Sequence, residues 1–195
     1  GVVPSMIIVK IRSGDHNNWG VYHKSMGATK AMYLDQNSAE TTDGWMNNTA
    51  PTNQVFSLSG GNYGNVNTYS YVAYCFAEKT GYSKFGSYTG NGNADGTFVY
   101  TGFKPAWIMY KDTSGTSDWY IMDTTRRTFN VTDVRLEANN SDAEVTGAGD
   151  KIDILSNGFK FRHSSASFNI SGNTYIYMAF GQTLVGTNGV TAKAR

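Results

Sequence analysis

Two pairs of carboxylates recur at matching positions of an internal repeat, Asp35 with Glu40 and Glu137 with Glu144. Paired carboxylates can hydrolyse glycosides, one donating a proton while the other acts as nucleophile or base. A pair kept in two halves of one chain reads instead as a structural device such as a turn cap. Asp150 and Asp153 flank Ile152 in one half only and read as an acidic strand edge. The 3 histidines, His16, His23 and His163, stand at no metal-ligand spacing and read as solvated or strand-edge residues. The single cysteine, Cys75, lies in an apolar run and reads as a small buried hydrophobe. The segment 90–96 (GNGNADG) lacks the closing Glu of an EF-hand and the Lys-Ser/Thr of a phosphate loop, so it reads as a hairpin loop. Arg126, Arg127 and Arg135 form a small basic group expected to pair with Asp133 and Glu137 across a turn. No zinc, thiol or hydrolase signature is found. The expectation is therefore a non-enzyme with no catalytic residue, no metal ligand and no cofactor.

Aromatic residues in polar loops are the better lead. Trp45 lies in the loop 41–48 (TTDGWMNN), and Tyr63 in a second loop, 60–65 (GGNYGN). A loop Trp or Tyr can stack on a sugar ring while neighbouring amides reach its hydroxyls. Trp45, Tyr63, Asn47, Asn48 and Asn62 are therefore the candidate glycan-binding residues. Trp19, Trp107 and Trp119 are strand-borne and expected in the core.

The elements that must position these residues follow from composition. Lys and Arg number 16 and Asp and Glu 15, a net charge of +1, which gives no electrostatic case for a nucleic-acid partner. Charged residues make up 16% of the chain, against about 25% in an ordinary soluble domain. With 13 Tyr and 22 Gly, the profile is that of an extracellular-type β protein. No apolar stretch approaches the roughly 18 residues of a membrane-spanning helix, so no membrane insertion is expected.

Self-comparison organises the rest. Residues 4–10 (PSMIIVK) return as 105–111 (PAWIMYK), and 18–22 (NWGVY) as 118–122 (DWYIM). Leu34-Asp35 is matched with Leu136-Glu137, and 71–78 (YVAYCFAE) returns as 175–182 (YIYMAFGQ). The expected organisation is a first β repeat unit over 1–80, a second, complete unit over 81–183, and an extended arm over 184–195. Gly1-Val2-Val3 aligns with Gly102-Phe103-Lys104. The first unit then lacks the hairpin that opens the second, and a parent chain is expected to continue on the N-terminal side. Alternating runs separated by Gly and Asn turns predict an all-β fold: two tandem, homologous antiparallel β-sandwich units, lectin-like or jelly-roll-like. Strands are expected at 55–58 and 69–77 among others, with one helical turn at 141–146. So few charges leave exposed strand edges in need of cover, which favours an oligomer.

Residues 85–111, 118–123, 155–160 and 175–182 together resemble an uncharacterised β-rich module that recurs in structural and tail-fibre-like proteins of marine tailed bacteriophages, particularly those of cyanobacteria. The resemblance covers both units. It implies a virion component, on the surface of an extracellular particle, whose partners are other copies of itself or other virion proteins, with host-surface polysaccharide as a ligand. The alternative is a carbohydrate-binding module of a secreted bacterial adhesin or enzyme.

Overall fold

The computed structural model describes residues 1–13, 18–60, 64–147, 149, 151–164 and 167–182. Among them the chain forms antiparallel strands and no helix. The first half holds β1 (Met6–Ile11), β2 (Gly20–His23), β3 (Lys30–Tyr33), β4 (Thr41–Thr42) and β5 (Tyr71–Phe76). The second begins with β6 (Ser83–Thr89), β7 (Phe98–Tyr100), β8 (Pro105–Asp112), β9 (Tyr120–Asp123) and β10 (Val134–Glu137). It ends with β11 (Val145–Thr146), β12 (Ile152–Leu155), β13 (Gly158–Phe161) and β14 (Thr174–Gly181).

Three sheets result, ordered β4-β3-β2-β1-β5, β11-β10-β9-β8-β14-β6 and β12-β13-β7. The first two share an order over five strands, and the agreement reaches single residues. Met6 lies opposite His23 and Phe76, as Trp107 lies opposite Asp123 and Phe180. Gly20 faces Tyr33 as Tyr120 faces Glu137, and Lys30 faces Thr42 as Val134 faces Thr146. The third pair shows that Asp35 corresponds to Asn139, not to Glu137. Asp35 Oδ1 accepts the Trp19 amide at 3.0 Å and Asn139 Oδ1 accepts the Trp119 amide at 2.8 Å. The match of Asp35 with Glu137 in the sequence comparison is thus off by two residues, whereas Glu40 and Glu144 stand in register.

The layers explain why β1 and β14 are apolar runs and not alternating ones. A strand buried on both faces has no solvent side on which to place polar residues. Met6 and Ile8 of β1 point into a core with Val21, Met32, Phe85, Met109, Trp119, Ile176 and Met178. Ile7 and Val9 point the other way, into a core under Trp45 and Met46. On the far side, Tyr175 and Tyr177 of β14 join Phe159 and Phe161 of β13 in a third core. The two large sheets therefore pack on each other, one from each half. They do not form two sandwiches standing apart. Each large side chain in the shared layer contributes on the order of 1.5–3 kcal/mol.

Backbone contacts stitch the same seam. Ser117 N–H donates to Asn37 O at 2.9 Å and Glu40 N–H to Thr113 O at 3.0 Å. The indole of Trp119, fully buried, donates to Tyr33 O at 2.9 Å.

Several local expectations are corrected. Residues 55–58 form no strand: Phe56 and Leu58 pack as irregular cover over the outer face of the first sheet. Residues 141–144 are irregular, and Val145–Thr146 pairs with β10 where a helical turn was expected. Cys75 is exposed on the edge strand β5. Trp19 and Trp107 are only partly buried, packed at the margin of the shared core.

Candidate functional site

The loop carrying Trp45 is shaped by Gly44, Asn47 and Asn48, which all take positive φ (67°, 52° and 50°). Gly and Asn tolerate this conformation because it costs them little steric strain. The bend turns the indole inward, and Trp45 is 3% exposed. Its ring lies over Gly20, where a Cβ would meet it at 3.4 Å. The matching position in the second half is Tyr120, whose own ring fills the corresponding core. Trp45 is therefore a core residue of the first half and offers no face for a sugar. Its Nε1 is buried without a hydrogen-bond partner among the described residues. Asn47 and Asn48 are exposed on the turn. Tyr63, Asn62, His16 and Asp150 lie outside the described residues, as does the arm 184–195.

Exposed aromatic surface is found elsewhere. Tyr74 of β5, 45% exposed, stacks on Trp19 with ring centroids 6.4 Å apart and planes 16° apart. Lys10 Nζ lies 5.8 Å from the Trp19 ring centroid. Phe98 and Tyr100 project from the outer face of β7, beside Lys160 and Gly158 of β13. The sequence reading missed the first cluster because Trp19 and Trp119 are repeat-equivalent and were expected to share one environment. Their strand neighbours hold the signal: Tyr74 stands where the second half has Met178, which is buried.

The carboxylates do not converge. Glu40 pairs with Lys30 at 3.4 Å, Glu137 with Arg135 at 3.0 Å and Glu144 with Arg126 at 2.7 Å. Arg127 pairs with Asp133 at 2.7 Å, as the sequence suggested, and Arg126 also meets Asp123. Asp153 pairs with Arg162 at 3.2 Å.

His23 is not a solvated edge residue. It is 1% exposed at the seam, where Nδ1 accepts the Ser25 amide at 3.2 Å and Nε2 lies 3.2 Å from Tyr177 O. Those partners require the neutral ring with its proton on Nε2. Burial pushes its pKa down to about 4. His163 is half-buried, with its Nδ1 unpartnered among the described residues. Lys111 is fully buried, and Nζ donates to Asp112 O at 2.7 Å and to Asn37 O at 3.4 Å. Burial lowers its pKa to about 8, against the opposing pull of Asp112 and Asp118. Its ammonium fastens the Ser114-Gly115 turn to the other half.

The glycine-asparagine loop 90–96 is organised by one buried amide. Asn169 accepts the Asn91 amide at 3.0 Å and donates to Asn91 Oδ1 at 2.9 Å and Asn93 O at 2.8 Å. That side chain occupies the centre a cation would need. The loop's one carboxylate, Asp95, turns away to Lys160 at 2.9 Å. Among the described residues, no three of His, Cys, Asp and Glu come together as a metal-binding group.

A depression along the seam, between Ser25, Met26, Glu40, Thr113, Ser114 and Thr174, encloses about 230 Å³. That is less than the roughly 300–1,000 Å³ of an ordinary ligand cleft.

No curated protein and no solved structure matches the chain. A family model does match, over residues 1–183, nearly the whole of the chain and both of its halves. The chain thus belongs to the DUF7483 family, described as a domain of unknown function.

Proposed function

We propose that this chain is a non-enzymatic structural and adhesion module of a tailed-bacteriophage virion, part of a tail fibre or spike, built from two tandem copies of one antiparallel β unit. The observation that carries this reading is the residue-for-residue repetition of the β1 and β8 ladders, locked across a single core. Stacked, low-charge β layers suit a load-bearing rod, and its partners are other virion proteins or further copies of the chain. The carboxylates singled out by the sequence are held instead in ion pairs, Glu40 with Lys30, Glu137 with Arg135 and Glu144 with Arg126. The adhesive face is the Trp19–Tyr74 platform, with Lys10 at its rim, in place of the buried Trp45. The same platform favours a second reading, a carbohydrate-binding module of a secreted bacterial adhesin or enzyme.

Gold-labelled antibody to the chain, applied to virions of a phage that encodes it, separates the two. Gold on the tail is the expected result, and unlabelled virions would contradict the virion assignment. On a glycan array, binding that is lost in Tyr74→Ala supports adhesion. An array that stays blank for the wild type removes the glycan role.

A further inference from the structure

The two halves repeat one ladder, but among the described residues only the second carries a hairpin along its outer edge. In the second half β6 pairs along the outer edge of β14, with Tyr88, Gly86 and Lys84 opposite Tyr175, Tyr177 and Ala179. Residues 71, 73 and 75 of β5 stand at the matching places, by their shared register with β1 and β8. Arg12 N–H bonds to Ser70 O, which fixes the phase of the β1–β5 ladder. In that phase the N–H and C=O of Val72, Tyr74 and Phe76 point to β1, and those of Ala73 and Cys75 point outward. Among the described residues no strand pairs with that outer edge.

The uncovered region extends beyond the edge. Tyr177 and Ala179 lie buried beneath β13 and β7, whereas Ala73 and Cys75 are exposed. Phe103, just before β8, is buried against Gly181; its counterpart Val2 is 69% exposed. Val55, just before the cover formed by Phe56 and Leu58, is 63% exposed. A free edge beside uncovered apolar side chains is the usual acceptor for an added strand.

We propose that the outer edge of β5 is an acceptor site for a β-hairpin of the β6–β7 kind. The occupant is identified by the second half, where that hairpin already covers the equivalent edge and face. Its first strand runs antiparallel to β5. Opposite Ala73 it carries a bulkier residue than Gly86, because Gly86 is small only to admit the Tyr177 ring, which would lie 2.8 Å from a Cβ there. Ala73 leaves that volume open. This rests on ladder geometry and stands whether or not the chain belongs to a virion.

The test supplies the hairpin. The sequence of residues 81–101, with Gly86→Phe, is joined ahead of Gly1 through a flexible Gly/Ser linker, which gives a millimolar effective concentration. Cys75 is the reporter. Its maleimide labelling is expected to slow at least tenfold in the fusion, with matching slowing of hydrogen exchange at the Ala73 and Cys75 amides. Ala73→Pro removes an outward N–H and leaves the β1 ladder intact. In the fusion, that variant is expected to restore fast labelling while melting like the parent chain. Equal labelling with and without the hairpin overturns the proposal. So does concentration-dependent protection of β5 in the unfused chain, which would assign the edge to a second copy.

Discussion

At the scale of residues, the pairing of Gly20 with Trp45 is a local decision with large consequences. The second half fills the corresponding space with Tyr120, so one half solves the packing problem from a loop and the other from a strand. Trp45→Ala is expected to cost about 3–5 kcal/mol of stability, the usual price of an aromatic-sized cavity, measured by urea unfolding. A change below about 1 kcal/mol would mean the indole is a surface group after all. Burial of His23 makes the fold sensitive to acid. Unfolded, the ring binds a proton below its ordinary pKa of 6.5; folded, it does so only below about 4. Between those values unfolding takes up a proton, so stability falls as pH falls through that window. The loss is on the order of 3 kcal/mol across the window, and it is expected to be absent from the pH–stability curve of His23→Gln. An unchanged acid limb would show that His23 titrates freely in the folded protein.

At the scale of elements, the decisive bonds are those that hold β2 to β3 and β9 to β10 beyond their ladders. Asp35 and Asn139 perform one task, accepting the amide of a strand-leading Trp. Asp35→Ala and Asn139→Ala are each expected to cost about 1 kcal/mol by chemical denaturation. Asp35→Asn should retain nearly all of the stability, because the second half already uses an amide there. A large loss in Asp35→Asn would show that the charge, and not the acceptor, matters.

These elements also show what could be read from sequence. The strands β1, β2, β8, β9 and β14 were legible because their apolar runs and flanking turns recur. The equivalence of Asp35 was misread because Leu-Asp and Leu-Glu look alike, whereas hydrogen-bonding geometry groups Asp35 with Asn139. Trp45 was misread because a polar loop gives no sign of which way its one large ring turns. That direction depends on Gly20, on a different strand, and on two asparagines at positive φ. Cys75 was misread because an apolar run implies burial only if something covers it. The cover of β14 comes from β6, β7 and β13, and β5 has no counterpart to β6 or β7 among the described residues.

At the scale of the whole molecule, the two halves share a core, and that separates this architecture from two beads on a string. Met6, Ile8, Val21 and Met32 from one sheet meet Phe85, Met109, Trp119, Ile176 and Met178 from the other. Neither sheet can lose its partner without exposing that layer, so the halves should open together. Native-state hydrogen exchange in increasing urea measures this directly, amide by amide. The amides of Ile8 and Met109, on the central strands of the two sheets, are expected to converge on one opening free energy, equal to that of global unfolding. If the β1 amides open at a free energy lower than the β8 amides by more than about 1 kcal/mol, the halves are independent and the shared-core account is wrong.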